Sequence, residues 1–167
     1  MAFLFRIFRL LALSVWVGSI VFFIAGVTVV AFRTMPDAHH AGIIVRGTLL
    51  ALHRIGLISG AVYLLFTLAL LATQKDTHPA RAVELALVVS MMALTAYSQF
   101  SVIPRMEADR IAVGGDIAKA EPEAPQVAHF NRLHGLSVKL EGAVLLEGLL
   151  LIVFAAVHGH DEYDRLA

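Results

Sequence analysis

Three residues in apolar surroundings carry groups able to bind ligands or handle protons: His53, His134 and Glu141. Ionisable side chains within a hydrocarbon-like run are expensive and are tolerated chiefly when paired or wet, so each is a functional candidate. His134 and Glu141 are seven residues apart and share one stripe of a helix; Arg46 and His53 repeat that spacing, as do Arg132 and Lys139. Two kinds of chemistry fit this set. Facing histidines in a helical bundle ligate a b-type haem or a metal ion, which would make His53 and His134 the ligands of a redox or metal-binding bundle. Guanidinium groups at Arg46, Arg54 and Arg105, beside His53, His134 and Glu141, would instead hold a small polar or anionic molecule or a lipid headgroup. A structural alternative has the arginines and lysines snorkelling to headgroups, with the histidines bonded to backbone carbonyls. The sequence shows no nucleophile–base pair, Glu-x-x-His motif or phosphate-binding loop, so the chain is not expected to be an enzyme and no cofactor is required of it.

Glu147 lies deeper in its apolar run than any of these. An unpaired carboxylate there is costly, so a hydrogen-bonding neighbour such as Tyr97 or Ser98 is expected; the functional alternative is a proton- or cation-coupled step. His39, His40, His78, His129, His158 and His160 fall in loops or at helix ends.

The chain that must position these groups has 167 residues, of which 59 % are hydrophobic and only 16 % charged. Its mean hydropathy is +0.79. A soluble domain carries roughly 25 % charge, so the composition is that of a membrane protein. Thirteen Lys and Arg balance thirteen Asp and Glu, which gives no electrostatic reason to expect a nucleic-acid partner. Cysteine is absent, excluding disulfides, Cys-ligated metals and thiol catalysis. A helix needs about 20 mostly apolar residues to cross the hydrocarbon core, and four such segments are expected, at approximately 10–32, 50–73, 83–103 and 134–157. They must be helices, because an unpaired amide in lipid costs several kcal/mol.

The expected architecture is an all-α, up-down bundle of four transmembrane helices. It forms one domain over 1–167, with a longer polar loop between helices three and four. The first segment is too long for a cleaved leader and reads as retained, with Arg6 and Arg9 among Phe3, Phe5 and Phe8 in the headgroup region. Segment 105–113 suits a short interfacial helix, and Pro125 is placed to open the last helix. Gly56 and Gly60 on the second helix, and Ser14 and Gly18 on the first, have the spacing that lets backbones approach closely. Antiparallel packing would gather Arg33, Arg46, His53, Arg54, Gln99, Arg105, His134, Lys139 and Glu141 at one membrane face, and put both termini on the same side. The bilayer is the expected partner, in a plasma membrane of the bacterial inner-membrane kind. The positive charges favour opposite orientations by total count and by the flanks of the first helix.

Several motifs in this order resemble the uncharacterised membrane family typified by transmembrane protein 205, also called DUF4149. They are Trp16–Val17–Gly18, then Phe32–Arg33–Thr34–Met35–Pro36, then Ile103–Pro104–Arg105, and finally Phe130–Asn131–Arg132–Leu133–His134–Gly135–Leu136–Ser137. The resemblance extends over roughly 8–157 and implies four membrane helices with no settled activity. It adds Ser137 to the candidate site, since Arg105, His134 and Ser137 fall in the matching motifs. It departs at Glu141, where the family pattern carries Asn. The expectation is a membrane protein that binds or transports a small polar or anionic ligand through Arg46, His53, Arg54, Arg105, His134, Ser137 and Glu141. Four helices enclose little space, so transport would call for a homo-oligomer. The alternatives are the haem or metal bundle and a structural subunit of a larger membrane complex.

Overall fold

The computed structural model describes residues 2–74 and 80–163, with side chains over 2–73 and 81–156. Every regular element among them is helical, and the helices join end to end into four rods. Rod one comprises α1 (Ala2–Phe22), a π-helical turn (Phe23–Thr28) and α2 (Val29–Thr34). Rod two is α3 (Ala38–Gln74). Rod three comprises α4 (Ala80–Tyr97), a second π-helical turn (Ser98–Val102) and α5 (Ile103–Ala112). Rod four is α6 (Pro125–Tyr163), which begins at the expected proline.

Local chemistry explains the breaks. Met35 precedes Pro36, whose ring disfavours a helical predecessor, and Met35 is extended at ψ 150. The Asp37 carboxylate then accepts the His40 amide at 2.9 Å and caps the start of α3, leaving a link of only three residues, 35–37. In rod three, Pro104 has no N–H to offer the carbonyl of Phe100 and its ring crowds that position. The chain widens into the π turn just ahead of it and continues as α5. The expected separate interfacial helix at 105–113 is therefore a continuation of rod three. Rod three ends at Gly114 and Gly115, with φ of 85° and 96°, and the Gly115 amide returns to the Arg110 carbonyl at 2.9 Å. The expected link around Pro79, the histidine His78, and the His158 and His160 side chains lie outside the described residues.

Rod one packs on rods two and four, and rod three packs on the same two, closing a ring. Within it Leu13, Trp16, Val17, Ile20, Val88, Met91, Val144 and Leu151 form a buried core. A Cβ on Gly56 would fall on the indole of Trp16, and one on Gly60 would lie 2.7 Å from Met92 Cγ, so these glycines serve close packing as expected. Gly18 does not. It is exposed, as is Ser14, and nothing lies within 4 Å of a Cβ placed there.

The outside is apolar on all four rods: Phe22, Val30, Ile58, Leu65, Val89, Phe100, Leu146, Leu150 and Val153 are all exposed. Hydroxyls on this surface satisfy themselves on the preceding turn, as with Ser19 to the Val15 carbonyl and Thr34 to the Val30 carbonyl. Rods one to three are long and apolar enough to cross a membrane, at 33, 36 and 32 residues. At 1.5 Å per residue each runs about 50 Å, past a hydrocarbon core of about 30 Å and into the headgroups.

Candidate functional site

His53 is 1 % exposed and sits where three rods meet. Its Nε2 contacts Oε1 of Glu141 on α6, and its Nδ1 lies 2.9 Å from Oε1 of Gln99 in the second π turn. Each ring nitrogen therefore has a hydrogen-bond partner. The π turn matters here. Its surplus residue re-aims Gln99 toward rod two and buries Ser98, whose hydroxyl has no partner among the described residues. Ser137, one turn before Glu141 on α6, is buried as well.

The remaining predicted residues divide from this centre. Arg46, Arg54, Arg105 and His134 are exposed. Arg46 Nε lies 3.4 Å from Glu107, which also takes two hydrogen bonds from Arg110 at 2.9 and 2.7 Å. His134 stacks on Phe130 with ring centroids 6.4 Å apart. It lies seven residues, about 10 Å, along α6 from Glu141. Both ring nitrogens of His53 are taken by protein oxygens, while His134 is exposed beside Phe130. Among the described residues no three His, Asp or Glu side chains converge to hold a metal ion.

A second buried polar centre escaped the sequence reading. Arg9 is buried, where a headgroup position was expected, because its guanidinium reaches across the ring to Glu84 on rod three. The same Nη2 donates to the Tyr63 hydroxyl at 2.7 Å, and the guanidinium carbon lies 4.7 Å from the Tyr63 ring centroid. Arg81 adds a second cation to Glu84 at 3.0 Å. The signal was present: Glu84 falls just inside the expected span 83–103 and Arg9 just outside 10–32, and each alone resembles an ordinary flanking charge. On rod two His53 and Tyr63 are ten residues apart, so about 15 Å of largely apolar core separates the centres.

Glu147 lies six residues beyond Glu141, about 9 Å further along α6. Its Oε1 accepts a hydrogen bond from Ser90 Oγ at 2.8 Å. Tyr97 and Ser98, the expected partners, are two to three turns away on rod three. Matching Glu147 to Ser90 required the relative register of rods three and four, which no spacing within one segment supplies.

A family model for a domain of unknown function, DUF4149, matches residues 11–110. The chain belongs to the DUF4149 family. The DUF4149 match takes in rod one from Leu11, all of rod two and rod three to Arg110. It thus contains His53, Glu84, Gln99 and Arg105, and it stops short of α6 with Glu141 and Glu147. No similar curated protein and no similar solved structure was found. Its three apolar rods and greasy exterior make this DUF4149 chain an integral membrane protein.

Proposed function

We propose that this DUF4149 protein crosses the bilayer four times in an up-down bundle and binds a small polar or anionic ligand at the end where His53, Gln99 and Glu141 meet. The fourth crossing is supported by the exposed apolar face of α6 at Leu146, Leu149, Leu150 and Val153. The up-down order is supported by which parts of the rods touch. Early rod one, late rod two and early rod three meet at Arg9, Tyr63 and Glu84, whereas late rod three and early rod four meet at Asp109 and His129, 2.7 Å apart.

The observation that carries the ligand reading is the buried His53 joining three rods, with the exposed cations Arg46, Arg54 and Arg105 near the same end of those rods. A histidine between a carboxylate and an amide can change its hydrogen-bond roles when an anion approaches. Arginine supplies the planar donors that recognise carboxylate or phosphate. Movement of such a ligand across the membrane calls for association of several copies.

The test uses the full chain in lipid nanodiscs and thermal unfolding against inorganic phosphate, acetate and glycerol phosphate. At least one anion raises the unfolding temperature saturably, and Arg105→Ala and His53→Gln each weaken that response tenfold or more. If no probe shifts the wild-type protein, or both variants respond as the wild type does, the reading is wrong. A second reading, a packing subunit of a larger complex, draws support from the internal satisfaction of His53, and predicts partners that co-purify in mild detergent.

A further inference from the structure

We infer that Glu147, paired with Ser90, is a reversible proton-binding site that opens from the seam between rods three and four toward the middle of the bilayer. It is separate from the ligand end around His53.

The inference rests on what distinguishes Glu147 from the other carboxylates of the bundle. Glu84 is fully buried and faces two guanidinium groups, Arg9 and Arg81. Glu141 is buried and faces the His53 ring. Each negative charge therefore has a cation-forming partner. Among the described residues Glu147 has one neutral donor, the Ser90 hydroxyl, on Oε1, and its buried Oε2 has no hydrogen-bond partner.

The rods packed against α6 bring it no charge at this level. Rod three offers Ser90 and, beside it, Met91; rod one offers Val17, whose Cγ2 would meet a Cβ on the adjacent Gly148 at 2.6 Å. Asp109 on α5 is held by His129, near the start of α6. On α6 itself the nearest carboxylate is Glu141, about 9 Å away along the axis.

Depth and exposure complete the case. Ser90 lies six residues beyond Glu84, as Glu147 lies six beyond Glu141, so the pair stands about midway between the two charged centres. Glu147 and Ser90 are both only half-buried, and the residues flanking them outward, Val89 and Leu146, face the surroundings. A carboxylate with one oxygen buried and unpartnered in an apolar bundle is costly. The neutral acid removes that cost: Oε2 carries the proton while Oε1, as the carbonyl oxygen, keeps the Ser90 hydrogen bond. The half-open seam gives the proton a way on and off.

Dicyclohexylcarbodiimide, an apolar reagent that partitions into lipid, tests this. The acid O–H adds across one C=N bond of the reagent to give an O-acylisourea, which rearranges to a stable N-acylurea with no other reactant. The full chain in phosphatidylcholine vesicles is treated across a pH series and the adduct mapped by mass spectrometry. Glu147 is modified at least tenfold faster than Glu84 or Glu141, and its labelling falls as pH rises. Ser90→Ala changes the pH at which labelling falls, because the hydroxyl bonds the two forms of the carboxyl unequally. Glu147→Gln abolishes the adduct while unfolding at the wild-type temperature, which separates loss of the site from loss of the fold. Absence of an adduct at Glu147, equal labelling of all three glutamates, or labelling independent of pH would each overturn the inference.

Discussion

Arg9 and Glu84 bind across the ring of rods, and so do His53 and Glu141, one pair on each diagonal. Removing one member of a buried ion pair leaves the other charge stranded, at a cost of about 3–5 kcal/mol. Arg81 still faces Glu84 when Arg9 is replaced, so Arg9→Met belongs at the lower end of that range. Adding Glu84→Gln removes the stranded carboxylate, and the double variant regains most of the loss in detergent unfolding. A double variant no better than Arg9→Met would mean that the guanidinium acts through packing on Tyr63 instead. The first pair was hidden in the sequence because a charge one residue from an apolar run has two cheap fates, reaching water or reaching a partner. Only tertiary register chooses between them. His53 and Glu141 were legible as candidates because each falls inside an expected span, 50–73 and 134–157, but their pairing was not, since it needs the register of rod two against rod four.

Elements were legible where local chemistry sets them. Pro125 opens rod four as the sequence announces, and Pro36, Asp37 and Gly114 set the other rod ends through equally local chemistry. The π turn of rod three was not legible, since a helix accommodates Pro104 either by kinking or by widening, and the choice depends on what packs beside it. Pro104→Ala lets rod three close into regular α-helix and turns Gln99 away from His53, so that variant should show weaker protection of the His53 ring in NMR exchange. Close packing provides a sharper test. Trp16 is the chain's single tryptophan, buried against Gly56 and Gly60. Gly60→Val drives a branched side chain into Trp16 and Met92, costing about 1–3 kcal/mol and shifting the Trp16 emission. Gly18→Ala enters open space and leaves both unchanged.

For the whole molecule, the surface outside the membrane has its own order. At Asp116, desolvation pushes the carboxyl up, but hydrogen bonds from Lys119 and the Ala118 amide, with His39 nearby, outweigh it and hold the group below 3.8. Asp37 is likewise held below 3.8, chiefly by the His40 amide. A depressed carboxylate contributes its stability in full above the unfolded value and loses it as pH falls through the lower folded value. The Asp116 cap on the turn at Ile117–Lys119 is therefore in place at neutral pH and is lost in acid below 3.8. Hydrogen exchange at the Ala118 amide should show protection that disappears over that acid range, and Asp116→Asn should lack the pH dependence. The diagonal placement of the two buried pairs also bears on biosynthesis. Arg9 leaves the ribosome some seventy-five residues ahead of Glu84, and His53 almost ninety ahead of Glu141. Neither can find its mate while the nascent chain has delivered only two rods, so the early helices must be sheltered at the translocon, or by water drawn in beside them, until synthesis is nearly done. A polypeptide halted after rod two should be a substrate for membrane quality control, and completion of α6 is the step that releases it.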